Sequence, residues 1–93
     1  MTKKQREQVV ELLRCAAECA ARGRRSWLDV VAADVGIDDA AVIGEARAAC
    51  IDVQHREPYH AEWRTFAGDV MPPRWCLGVA LEAAQRVEEG WTP

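Results

Sequence analysis

Apolar residues recur at intervals of three and four through most of the chain, the spacing that lines one face of an α-helix. Near the start, Val9, Leu12, Leu13, Ala16, Cys19 and Ala20 form one such stripe. Thr2-Lys3-Lys4-Gln5 ahead of it has the order of a capping box, in which the threonine hydroxyl accepts from an orphan amide and the glutamine reaches back to the cap. Gly23 marks the far end, and Arg22 before it suits the negative pole of the helix dipole. The pattern predicts a first helix over residues 3–22.

The same reasoning predicts four more helices. Ser26 is a good N-cap, with Asp29 three residues later, for a helix over 27–35 closed by Gly36. Asp38 or Asp39 caps the next, over 39–56, with Val42, Ala46, Ala49 and Val53 as its stripe. Pro58 limits it by pushing the preceding residue out of the helical region. Pro58 also suits the first turn of a short helix over 59–67, where Tyr59, Trp63 and Phe66 fall at helical spacing before Gly68. Pro72-Pro73 launches the last, over 73–89, with Cys76, Leu77, Ala80, Ala84 and Val87 on one face and Gly90 at its end. No segment alternates apolar and polar residues as a strand requires. The expected fold is all-α, a compact bundle of about five helices in a single domain over 1–93.

Composition makes that core thin. The chain is 49% hydrophobic but only 6% aromatic, and alanine dominates. Such a core lets helices approach closely but gives each contact little area, so modest stability, or extra burial in a homodimer or partner complex, is expected. The net charge of −3 is unevenly divided. Residues 1–25 carry seven Lys and Arg against three Glu, whereas residues 26–93 carry five Arg against twelve acids. A split of this kind steers a chain towards a partner, or else it reflects ordinary solvated helix faces. Met1-Thr2-Lys3-Lys4 is followed by no apolar leader, and no run approaches the roughly 20 apolar residues of a membrane span. The expectation is a cytoplasmic protein, off the membrane, with its cysteines as thiols.

Residues 28–42, LDVVAADVGIDDAAV, resemble the helix-turn-helix of bacterial and phage regulators. Ala32 lies four before the turn glycine Gly36, where two helices would cross closely, and Ile37 and Val42 would wedge the second helix on the first. The resemblance implies a DNA-binding regulator, but the charge departs from it. The second helix of such a motif enters the major groove by its N-terminal residues. Here these are Asp38-Asp39-Ala40-Ala41, with Glu45 behind. Carboxylates repel phosphates, so nucleic acid is the less favoured partner. Any phosphate contacts would fall to Lys3, Lys4, Arg6, Arg22, Arg24 and Arg25.

Other chemistry has little support. Cys15 and Cys19 are four apart on one helix, but the second close pair of a zinc site is missing, and Cys19, Cys50 and Cys76 fall on or beside apolar stripes. No metal or cofactor is therefore expected, with a redox or metal role for Cys15 and Cys19 left open. No nucleophile elbow, phosphate loop or nucleotide fingerprint occurs near His55, His60 or any cysteine, so no enzyme is expected. Four tryptophans are many for this length; Trp27 at a helix start and Trp91 beyond the last helix are hard to bury, and exposed tryptophans beside arginines often anchor interfaces.

The two ends, REQVVELLRCAA at residues 6–17 and LEAAQRVEEG at 81–90 with Trp91 and Pro93, resemble a group of small phage and prophage proteins with similar terminal helices and a variable middle. That resemblance implies an accessory protein that binds and blocks a host protein, as anti-CRISPR and other anti-defence inhibitors do. The leading expectation is a non-enzymatic protein-binding module whose face comprises Trp27, Asp34, Asp38, Asp39 and Glu45, turned towards a basic surface of a host protein. The helix-turn-helix regulator is the alternative. A structural protein that self-associates through its first and last helices is the third.

Overall fold

The computed structural model describes residues 1–24, 27–56 and 73–93, and the side chains of 1–24, 27–53 and 78–93. Among them are four helices and no strand: α1 (Lys3–Ala21), α2 (Leu28–Val35), α3 (Ala40–Arg56) and α4 (Pro73–Glu88). The helix predicted over 59–67 lies outside the described residues, as do Tyr59, Trp63 and Phe66.

Local signals set most of the ends. At α1 the reciprocal capping box forms: the Gln5 amide donates to Thr2 Oγ1 at 3.0 Å, and the Thr2 amide donates to Gln5 Oε1 at 2.9 Å. At the end of α2, Gly36 takes φ +80°, which a residue with a Cβ adopts only under strain. This turn lets the Ile37 amide reach back to the Ala32 carbonyl at 2.8 Å and buries Ile37 against the helix it has just left. The close of α4 is similar: with Gly90 at φ +109°, the Trp91 amide donates to the Arg86 carbonyl at 2.9 Å.

The start of α2 departs from the sequence expectation. Trp27, not Ser26, holds the N-cap position, and it gives no side-chain cap bond; Ser26 lies outside the described residues. Leu28, Val31 and Ala32 are the residues of α2 buried in the core. Asp29, expected to support the cap, instead faces Arg47 of α3 at 3.9 Å.

One core joins all four helices. It takes Val9, Leu12, Leu13 and Ala16 from α1, Val31 and Ala32 from α2, Val42, Ala46 and Cys50 from α3, and Val79, Ala83 and Val87 from α4, among others. Leu12 and Leu13 are the largest fully buried side chains among the described residues, and every helix contributes alanine. Helices so lined can pack near the close end of the usual 8–10 Å range. The most extensive packing is α1 along α4. There Arg6 lies across the end of α4, one guanidinium nitrogen donating to the Val87 carbonyl at 2.7 Å and the Trp91 carbonyl at 2.9 Å. Trp91, half-buried against the core, donates its indole N–H to Asp52 Oδ2 of α3 at 3.1 Å. These bonds tie the end of the chain to both α1 and α3.

Candidate protein-binding face

Burying Leu28, Val31 and Ala32 leaves the opposite side of α2 outward. Trp27, Val30 and Asp34 fall on that side at helical spacing (i, i+3, i+7). Trp27 is 36% exposed, Val30 40% and Val35, in the last turn, 39%. Of the four large exposed hydrophobic residues among those described, three therefore lie within these nine positions. Single exposed apolar residues are ordinary, but Trp27 and Val30 share the outward side with the exposed carboxylate of Asp34, whereas Val35 has the phase of the buried residues. The carboxylates are Asp34 at the end of α2 and Asp38 in the turn that follows, both solvent-exposed.

The structure does not gather all five predicted residues into one surface. Asp39 is half-buried and caps α3, its Oδ1 accepting from the Ala41 amide at 2.9 Å. Glu45 is also half-buried; its Oε2 is enclosed, with no hydrogen-bond partner among the described residues. Its carboxylate is turned partly inward because Glu45 sits beside the buried stripe of Val42, Ala46 and Ala49. Trp27, Asp34 and Asp38 remain as surface groups, joined by Val30 and Val35. Val30 was legible as the residue three beyond Trp27 and opposite the core stripe. Val35 shares the phase of the core stripe, and nothing in the local pattern marks it as exposed.

The capping role of Asp39 separates its structural part from any binding part. Asp39→Ala is expected to lose about 1 kcal/mol of stability in urea denaturation, and Asp39→Asn, which keeps an acceptor, only a few tenths. Equal losses from the two would rule out capping as the cause.

The basic residues proposed for phosphate contact divide into two groups. Lys3 and Lys4 are exposed at the start of α1, and Arg22 and Arg24 just beyond its end. The nineteen residues of α1 hold the groups roughly 28 Å apart. Arg6 is half-buried at the end of α4, Arg22 pairs with Glu18 at 2.5 Å, and Arg25 lies outside the described residues. At the start of α3, the outward residues Ala40, Ala41 and Gly44 offer no side-chain hydrogen-bonding group to a base edge. Ala32, Ile37 and Val42 are buried where the local pattern puts them, and α2 and α3 pack on one another.

Burial, then the nearby Glu11, Glu18 and Cys19, pushes the Cys15 thiol upward, which disfavours the thiolate. Among the described residues no cluster of three His, Cys, Asp or Glu side chains could hold a metal ion, and no helix is long and apolar enough to cross a membrane.

The described residues thus form an all-helical bundle. Comparison with known proteins finds no family model, no curated protein and no solved structure that matches the chain.

Proposed function

We propose that this chain is a non-enzymatic protein-binding module that docks a basic surface of a host protein through the outer side of α2 and the turn after it. The observation that carries this reading is that Trp27 and Val30, each more than a third exposed, share the outward side of α2 with the exposed Asp34, and that the exposed Asp38 follows in the next turn. In a bound partner, the apolar side chains supply the area that excludes water, and the carboxylates choose a positively charged surface and speed encounter. The resemblance of the terminal helices to small phage and prophage proteins supports the narrower form, an accessory protein that inhibits a host defence or regulatory protein. A nucleic-acid-binding surface on that protein would offer the matching charge.

A tagged pull-down from bacterial lysate, with nuclease, tests the reading when the wild type is compared with Val30→Asp and with Asp34→Lys/Asp38→Lys. Asp39 is left alone because it caps α3. One defined protein should be captured by the wild type and reduced at least tenfold, or roughly 1.4 kcal/mol, in either variant with the thermal midpoint unchanged. Capture that ignores both substitutions refutes this face. Capture that disappears on nuclease treatment transfers the assignment to a DNA-binding regulator.

A further inference from the structure

The exposed side of α1 carries an open groove of about 600 Å³, with Val10 and Cys15 among its apolar lining and charged residues along it. A second groove, of about 470 Å³, adjoins it and shares Arg14 and Glu88, which bond to each other between the two. Leu81, 50% exposed and the most exposed of the large hydrophobic residues described, lies in the second. The two form one trough along α1 and the end of α4.

The order of charges along this trough is self-complementary. Lys3 and Glu18 are equally distant from a point between residues 10 and 11, and so are Glu7 and Arg14. All four lie on the exposed side of α1 and line the groove. When a second α1 is laid antiparallel across the first, with a two-fold axis through that point, Lys3 of each copy meets Glu18 of the other, and Glu7 meets Arg14. An isologous interface of this kind makes each pairing twice. Arg14 and Glu18 can take part while keeping their bonds to Glu88 and Arg22, since their side chains are 61% and 60% exposed.

We infer that the α1 trough binds a second copy of this chain, antiparallel, in the register that pairs Lys3 with Glu18 and Glu7 with Arg14. Val10, almost on the axis, contributes apolar contact at the centre. One contact opposes the pairing: Glu11 comes close to its own copy near the axis. The contact strip, about 28 Å by 10 Å, amounts to roughly 560 Å² over both copies, below the range of stable interfaces, and exposed ion pairs are individually weak. The dimer is correspondingly weak and salt-sensitive. It uses no residue of α2, so it stands or falls separately from the host-protein reading.

Sedimentation velocity over a concentration series, with zero-length carbodiimide cross-linking of the same samples, tests it. At about 20 mM salt a dissociation constant of roughly 10–100 µM is expected, weakening at least fivefold at about 500 mM. Cross-linked peptides should join Lys3 to Glu18. Within one chain these residues are roughly 22 Å apart along a rigid helix, so only an intermolecular contact can link them. Lys3→Glu should weaken the dimer about fivefold or more, Lys3→Glu/Glu18→Lys should restore it, and Glu11→Gln should tighten it roughly twofold. A chain that stays monomeric to about 1 mM at low salt overturns the proposal and leaves the trough to a different protein. A dimer without the Lys3–Glu18 link, or without rescue by the double exchange, overturns this register.

Discussion

Leu12→Ala is expected to lower the free energy of unfolding by about 3 kcal/mol. Leu12 is fully buried on α1, the helix that touches each of the other three, and with Leu13 it is the largest side chain wholly inside. Apart from Leu13, Leu28, Ile37 and Cys50, the buried cluster around it consists of valines and alanines from four helices. Small side chains cannot extend to refill a lost isobutyl group, so the cavity persists and its cost adds to the lost transfer energy. In a domain of this size each kcal/mol moves the thermal midpoint by about 4–8 °C, so a fall of roughly 12–24 °C is expected by circular dichroism. Chains of this length are only marginally stable, and such a loss leaves a substantial unfolded fraction at 37 °C. A fall below about 4 °C would mean that the four helices do not share the core described. Leu12→Met, close in volume, should cost less than about 1.5 kcal/mol and separates the cavity from any effect of substitution itself.

The second large effect belongs to Arg6. Arg6→Ala is expected to cost about 2 kcal/mol, because its guanidinium bonds two carbonyls at the end of α4 in a partly buried position. A helix end carries partial negative charge, so the cation supplies dipole compensation as well as hydrogen bonds. The same substitution frees the segment around Gly90 and Trp91. The indole bond from Trp91 to Asp52 should weaken with it, visible as a red shift in tryptophan emission. Arg6→Lys retains the charge but offers a single compact donor group, and should recover about half of the loss. If Arg6→Ala proves as stable as the wild type, Arg6 is a surface cation and returns to the set available for phosphate contact.

Particular residues show how far the chain could be read from its pattern. Of the stripe predicted for α1, Val9, Leu12, Leu13, Ala16 and Ala20 are buried and Cys19 is partly buried, and Val42, Ala46, Ala49 and Val53 are buried in α3. These succeed because periodicity reports which side of a helix must leave water, whatever covers it. Gly23, Gly36 and Gly90 end three helices for an equally local reason, each with positive φ. Ser26 is the cap that the local pattern favours for α2, whereas Trp27 holds that position in the fold. The acidic face was legible in part. Asp34 and Asp38 lie on the surface as expected, but Asp39 is taken up by its own helix and Glu45 is turned inward.

Helical class, core stripes and the glycine-marked helix ends were determined within the chain, because each depends on residues a few positions apart. Which outward residues stand together depended on packing. Lys3 and Arg22 are both cations of the first third of the chain, yet a rigid helix keeps them at opposite ends. Arg6 lies near the start of the sequence and meets Val87 and Trp91 near its end only because α1 runs along α4. Val35 has the phase of a core residue and stays exposed. Spacing along a helix sets the direction of a side chain, and only the arrangement of the other helices decides whether that direction ends in protein, in a neighbouring charge or in water.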